Sequence, residues 1–461
     1  MLASSPVELE KALKSPPAQL AVIEPPGAAP QAGARPVRWR LSTRVAFRFV
    51  FLYFSLYVLF TQMLSSLLQV PNKEFPDLGS TEAMQPVLNW VGAHILRLSQ
   101  PIPFHPSGSG DKLADYVLSL TLVLAAFIVT IVWSVVDRRR DDYVTLNKWF
   151  RLFLRLSLAA TMVTYGTIKT IPVQMPFPSL TRLLEPYGDF SPMGVLWYSI
   201  GASRPYETFA GCAELTAAVL LFVPRLGTLG ALFALADSIQ IFTLNMTYDV
   251  PVKLFSFHLI LMSLVLIAPE APRLANVLVF NRTAEASKQP SLFKGRRANI
   301  AATALQIVFG AYLIGVGFYG SWQGWTQYGG GAPKSALYGI WNVEEMAVDG
   351  VIRAPLVGDY GRWHRLVFQL PAYMDFQHMD STFARHGAAI DTSTKTLVLT
   401  KPNDKSWNAI FSYQQPDPTR LVLEGQMDGH KVRMDTRLVD PQSFRLVKAG
   451  FHWIQEFPFN R

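Results

Sequence analysis

Seven apolar runs constrain this chain more than any other feature. They lie near 46–68, 115–136, 152–172, 206–224, 227–247, 252–269 and 299–321. A helix needs about 20 residues to cross the hydrocarbon of a bilayer, and each run approaches or exceeds that length. Inside lipid every backbone N–H and C=O must be satisfied within the segment, so such runs commit the chain to a helical bundle. Composition agrees, because half of the 461 residues are hydrophobic and only 16% are charged, which is too apolar for an ordinary soluble protein. The fourth and sixth runs are short, and the breaks at Pro224-Arg225 and Asp249-Val250-Pro251 force tight turns around them. Residues 1–35, rich in Pro, Ala and Ser, read as a disordered cytoplasmic tail. A cleavable signal peptide is not expected, since the first long apolar run begins only near Ala46.

The formal net charge of +9 does not require a nucleic-acid partner. It follows from where Lys and Arg fall between the runs. One side takes Arg35, Arg38, Arg40 and Arg44, then Arg138, Arg139, Arg140, Lys148 and Arg151, then Arg225. That side ends with Arg273, Arg282, Lys288, Lys294, Arg296 and Arg297, sixteen cations in all. The other side takes six: Lys73, Arg97, Lys112, Arg182, Arg204 and Lys253. The positive-inside rule then puts the N-terminus in the cytoplasm and, after an odd number of crossings, the C-terminus outside. Cys212 is the single cysteine, which excludes an intramolecular disulfide or a CxxC redox pair. No HExxH or Cys/His cluster appears, so no metal site is expected.

Ionisable residues inside the runs are costly in lipid and mark a site or pathway. Glu214 lies two turns below Glu207 on one face, about 10 Å deeper at 1.5 Å per residue. Asp237 is central in the fifth run, at a similar depth. With no cation expected at that level, Glu214 and Asp237 read as a proton-handling or ligand-polarising pair, or as a carboxyl bonded across helices for packing. Tyr165 and Lys169, four apart, share a helix face, while Arg155 is about 21 Å away toward the cytoplasmic surface. Lys169, Glu207, Asp249 and Lys253 are expected as an outer ring of alternating sign. Asn245 and His258 flank the same outer turn, and a lone His258 in an apolar run reads as a packing residue or as a ligand contact. The catalytic candidates are therefore Glu214, Asp237 and Lys169. The ligand-binding candidates are Tyr165, Glu207, Asn245, Asp249, Lys253 and His258.

The outer loops differ in kind. Residues 71–114 form a polar excursion, whereas 173–205 are aromatic and Pro-rich, with a short helical pattern through Leu180, Leu183 and Leu184. That stretch reads as an interfacial anchor or as a cap over the bundle mouth. Gly329-Gly330-Gly331 reads as a hinge, and from residue 335 short alternating segments replace the apolar runs: 366–370, 396–399, 409–413, 421–424 and 432–435. The last four begin 11–13 residues apart with turn residues between them, the signal of an antiparallel meander closing as a barrel or sandwich. Asp428-Gly429 is the strongest hairpin signal. Trp341, Trp363, Trp407 and Trp453 are expected to pack that domain, the segment 450–461 to close its sheet, and Arg353, Arg362, Arg437 and Arg461 to line its interior.

Residues 150–282 resemble the DoxX family of four-helix membrane proteins. The likeness rests on Arg155-Leu-Ser-Leu with Tyr165-Gly-Thr-Ile-Lys169, and on Ala210-Gly-Cys-Ala-Glu214 followed by Leu220-Leu-Phe-Val-Pro-Arg225. Asn245-Met-Thr-Tyr-Asp-Val-Pro-Val-Lys253 and Ser256-Phe-His258 complete it. It covers under a third of the chain. The resemblance implies a polytopic protein of the bacterial inner membrane with a four-helix core at 150–282. Spans at 46–136 and 299–321 flank that core, and an outer lipocalin-like β domain occupies 335–461. It also implies membrane redox chemistry, with a quinone as the lipophilic ligand and a redox partner subunit. Two other functions stay open. One is a non-enzymatic scaffold or lipid-ligand carrier. The other, through a broader similarity to vitamin K-dependent carboxylase-like proteins, is an enzyme with Lys169 or Lys253 as base.

Overall fold

The computed structural model of the chain describes residues 38–73, 75–105, 107–287 and 291–458. The expected tail over 1–35, Lys288 and Arg461 lie outside them. The principal helices are α1 (Leu41–Phe60), α2 (Leu113–Val136), α3 (Val144–Thr170), α4 (Pro192–Gly201), α5 (Arg204–Phe222), α6 (Gly227–Thr247), α7 (Lys253–Ile267) and α8 (Arg296–Gln327).

Among the described residues, five segments are long and apolar enough to cross a membrane: Leu41–Phe60, Leu113–Val136, Pro224–Thr247, Lys253–Leu278 and Arg296–Gln327. Two of the seven expected spans, α3 and α5, fall outside that set. The reason is their polar content: α3 carries Lys148, Arg151, Arg155 and Lys169, and α5 carries Glu207 and Glu214. Lys169, Glu207 and Glu214 are buried against protein, while Lys148, Arg151 and Arg155 are partly buried. Contacts of α3 with α5, α5 with α6, α6 with α7 and α7 with α3 close a ring of four, the up-and-down arrangement of a helix bundle. Around it, α1 packs on α2, and α8 runs along α3 and α5.

Polar anchors fix the periphery. Arg48 is fully buried on α1 and donates to the Tyr143 hydroxyl (2.7 Å), Ser134 Oγ (2.8 Å) and the Asp137 carbonyl (2.9 Å). At the other end Asp111, in the long loop before α2, accepts from the Lys253 and Leu254 amides (2.8 and 2.9 Å). It thereby caps α7, whose first-turn N–H groups have no partner within the helix.

The C-terminal domain is a closed, eight-stranded antiparallel barrel. Its strands are β1 (Gly339–Val348), β2 (Val351–Ile352), β3 (Trp363–Phe368), β4 (Tyr373–His378), β5 (Phe383–Asp391), β6 (Thr396–Lys401), β7 (Asp404–Asp417), β8 (Arg420–Met427) and β9 (His430–Leu438). Each of β3 to β8 pairs with the next, β3 also pairs with β1, and β1 closes on β9 from Trp341↔Leu438 to Val348↔Val432. The short β2 is a hairpin extension of β1. Alternate residues face inward, and Trp341, Leu366, Phe368, Met374, Phe411 and Met434 fill the interior at 2% exposure or less. The expected segments 396–399, 409–413, 421–424 and 432–435 fall within strands, and 366–370 overlaps β3, which ends at Phe368. The Asp428-Gly429 hairpin has φ of 52° and 83°, the positive values that a type I′ turn demands.

Three expectations fail here. Residues 450–458, the described part of that segment, do not close the sheet, because β9 already meets β1 and leaves that strand no free edge; Trp453 is 91% exposed while Trp341, Trp363 and Trp407 are buried. The described arginines, Arg353, Arg362 and Arg437, do not line the interior. Arg362 is pinned on the carbonyls of Arg353 and Val343 (3.0 and 3.1 Å), Arg353 pairs with Asp359, and Arg437 pairs with Glu344. The Gly329–Gly331 run is not an open hinge, since its amides fold back on the Gly324 and Trp325 carbonyls of α8 (both 3.1 Å). Leu180, Leu183 and Leu184 pack on Ile340 and Val367 of the barrel, and the Leu180 amide donates to Gln369 Oε1 (2.9 Å).

His386 sits inside the barrel with both ring nitrogens buried and unpartnered, 4.5 Å from the Trp407 ring and 5.0 Å from Phe376. Burial, with Lys401 and His378 nearby, pushes its pKa down to about 4. A folded-state value below the unfolded one, about 6.5, contributes stability that is present above pH 6.5 and lost as pH falls toward 4. The barrel transition of the intact protein is expected to drop by roughly 5–10 °C between pH 7 and 5. In His386→Phe a thermal melt should show that pH dependence flattened.

Candidate functional site

Small residues bring α3 and α5 into backbone contact. A Cβ on Gly211 would lie 2.4 Å from the Thr170 amide nitrogen and 2.6 Å from the Gly166 carbonyl oxygen, so the two helices cross there as closely as glycine allows. One turn deeper that approach sets Lys169 of α3 beside Glu214 of α5. The two side chains form an ion pair with exposures of only 10% and 1%. The Lys169 ammonium also lies over the Tyr165 ring, 5.8 Å from its centroid.

This corrects the expected depth sorting. Lys169 is not part of an outer ring with Glu207, Asp249 and Lys253, and Glu214 does have a cation at its level. The flexible four-carbon stem of lysine carries its charge down the helix, away from the level of its own Cα.

The pair lines a cavity of about 130 Å³ inside the bundle. Its wall comes from all four core helices: Met162 and Tyr165 of α3, Ala210 and Ala213 of α5, Asp237, Leu244 and Asn245 of α6, and Phe255 and Leu259 of α7. Leu196, Trp197 and Ile200 of α4 cover its outer side. Tyr206 and Phe209, exposed on α5, also border it. Glu214 Oε2, Asp237 Oδ2 and Gln174 Oε1 are buried without a hydrogen-bond partner. An unmet buried acceptor costs about 1–3 kcal/mol, so three such atoms on the lining residues of one small cavity favour a donor-bearing occupant.

The structure therefore gathers Lys169, Tyr165, Glu214, Asp237 and Asn245 around one space. Asn245 is braced by Ser256 Oγ (3.0 Å), while the Tyr165 hydroxyl reaches Gln62 Oε1 (3.3 Å). Four candidates lie elsewhere. Glu207 is buried beside the cavity and accepts from the Met175 amide (2.8 Å), tying the 171–176 turn to α5. Lys253 pairs with Asp249 (2.7 Å) and Asp111 (3.7 Å) at the outer surface, a separate cluster. His258 stacks on Tyr57 (3.9 Å), donates or accepts with the Tyr53 hydroxyl (2.6 Å) and is held by the Leu254 carbonyl; it is a packing residue outside the cavity.

Gln174, Met175 and the α4 cap were not singled out from the sequence. A signal was there: Ser191-Pro192 is a helix start, with Ser191 Oγ accepting from the Gly194 amide (3.1 Å) and proline in the first turn. The capping alternative for 173–205 holds for this helix, although the helix forms at 192–201 and not at Leu180–Leu184.

No family model matches the chain, and no solved structure matches it. Among curated proteins, the "Uncharacterized protein YwoB" of Bacillus subtilis (strain 168) is 34% identical over 113 residues, which is 24% of this chain and 71% of that protein.

Proposed function

The chain belongs to the same family as YwoB, and we propose that its bundle binds the ring of a small lipophilic molecule of quinone type between Lys169, Glu214 and Asp237. What carries this reading is a buried ion pair and unpartnered carboxyl oxygens on the lining of an otherwise largely apolar cavity. Its volume, about 130 Å³, is near the ~150 Å³ of an engineered cavity that accepts benzene in another protein. A single-ring head group fits, and a fused two-ring head requires the α4 cap to move. The Lys169 ammonium is the donor for a ring carbonyl. Glu214 and Asp237 are the acceptors for hydroxyl protons of the reduced form. Exposed Tyr206 and Phe209 leave a lipophilic tail a way out along α5.

In this reading the protein is a membrane oxidoreductase or a subunit of one, its electrons supplied by a redox partner subunit, in keeping with the DoxX-like pattern of 150–282. The distribution of Lys and Arg supports seven crossings of a bacterial inner membrane, with α3 and α5 as the polar inner pair and the barrel outside. A periplasm-dependent reporter fused after the barrel should be active, and an inactive one would reverse the orientation. The carrier reading, with a ligand inside the barrel, is less favoured because Trp341, Phe368 and Phe411 fill that space. A lysine base must be neutral, whereas Lys169 is engaged in an ion pair.

Quinone extracted from the purified protein is expected at near one per chain. Glu214→Gln with Asp237→Asn should lower that content, counted per chain that assembles, roughly tenfold or more, the effect of losing a charged hydrogen bond worth about 1.5–3 kcal/mol. A double variant that retains wild-type quinone content and quinone-linked activity would sink the proposal.

A further inference from the structure

A second cavity, of about 340 Å³, opens at the other end of the bundle. Its size lies within the range of small-molecule sites, about 300–1,000 Å³. Lys148, Arg151 and Arg155 stand on one face of α3 at i, i+3 and i+7 and line it, and Arg225 of the α5–α6 turn completes the set. None of the described residues that line it is Asp or Glu. Glu270, close enough to act on Arg151, is held by Arg273 (3.2 Å) and Ser287 (2.6 Å) outside the lining. Four like charges in one concavity repel one another unless an anion enters.

The donors are arranged for one. Arg155 gives Nη2 to Gln306 Oε1, while its Nη1 is buried with no acceptor. Arg151 uses Nη2 on the Leu266 carbonyl (3.1 Å), and Lys148 Nζ spans the Ser291 and Leu292 carbonyls (3.1 and 3.2 Å). A guanidinium has five N–H donors in a planar fork, so both arginines keep donors to spare. Gly227, which opens α6, also lines the cavity, and a Cβ there would lie 3.2 Å from Arg155 Cδ. The positive end of a 21-residue helix thus meets the same space.

We propose that this cavity binds a phosphate-bearing anion, either the head group of an acidic phospholipid entering from the leaflet or a free phosphate compound. Guanidinium forks match phosphate oxygens bidentately. The site is independent of the quinone reading, being separated from Lys169 by about 21 Å along α3.

The test is thermal unfolding of the intact protein in maltoside detergent at constant ionic strength. The probes are inorganic phosphate and dioctanoyl phosphatidylglycerol, with chloride and dioctanoylglycerol as controls. One or both probes should raise the Tm above its control. A rise with the lipid alone assigns the head group, and a rise with phosphate assigns a free phosphate compound. Arg225→Gln, at an exposed position, should need roughly tenfold more probe for the same shift, and so should Arg155→Gln where it folds. If neither probe exceeds its control, or if the shift is unchanged in Arg225→Gln and Lys148→Gln, the cations serve orientation only and the proposal is overturned.

Discussion

Lys169→Met is expected to destabilise the bundle by about 3–5 kcal/mol, because it leaves Glu214 as an uncompensated charge at 1% side-chain exposure. Glu214→Leu alone should cost a similar amount by stranding the ammonium. Combining the two removes both charges and substitutes apolar volume, and such replacements of buried pairs are commonly neutral or stabilising. The double variant should therefore recover most of the loss in a thermal or denaturant titration of the purified protein. It should still weaken binding of the lipophilic molecule proposed above, since the Lys169 donor and the Glu214 acceptor are gone and only Asp237 remains. That pattern of recovered fold and lost ligand separates a functional pair from a structural one. Single variants that each cost under about 1 kcal/mol would mean that water screens the pair as at a surface.

Gly211→Leu is expected to be at least as damaging. The space a Cβ would take lies 2.4 Å from the Thr170 nitrogen and 2.6 Å from the Gly166 oxygen. Those are backbone atoms, which cannot rotate away as a side chain does. Overpacking a well-filled interior costs about 1–3 kcal/mol, and prying two helices apart places this substitution at or above the upper end. It would also separate Lys169 from Glu214, so yield, Tm and bound ligand should fall together. Gly315 of α8 is the control. Nothing lies within 4 Å of its Cβ direction, so Gly315→Ala should leave all three measurements unchanged.

The contrast between these glycines shows what the sequence could and could not convey. Both sit in apolar runs and look alike as letters; only the neighbouring helix distinguishes them. The β meander was readable because alternation is local: Leu421, Leu423, Val432 and Met434 announce one buried face. Closure as a barrel or sandwich was expected too, but not the strand that completes it, since the partner of β9 is β1, about ninety residues earlier, and not the segment 450–461. Glu214 and Asp237 were found from the cost of charge in lipid. Their relation to Lys169 was missed because depth was reckoned from Cα rise, without the reach of the lysine stem. The cations of the second cavity were counted for orientation, a use that does not reveal that Lys148, Arg151, Arg155 and Arg225 converge. Arg48, one of several arginines near the start of α1, gave no sign of the tyrosine and serine that bury it.

The connection from α3 to α4 has a mechanical consequence. At Leu180 it is fastened to the barrel through Gln369, Ile340 and Val367. Upstream, Met175 is tied to Glu207, and the Gln174 carbonyl accepts from the Trp197 indole of the cavity cap (2.9 Å). The barrel and the cap thus hang on one strap. Tilting the barrel would therefore pull on Trp197, which makes the barrel a handle for the chamber that the cap closes.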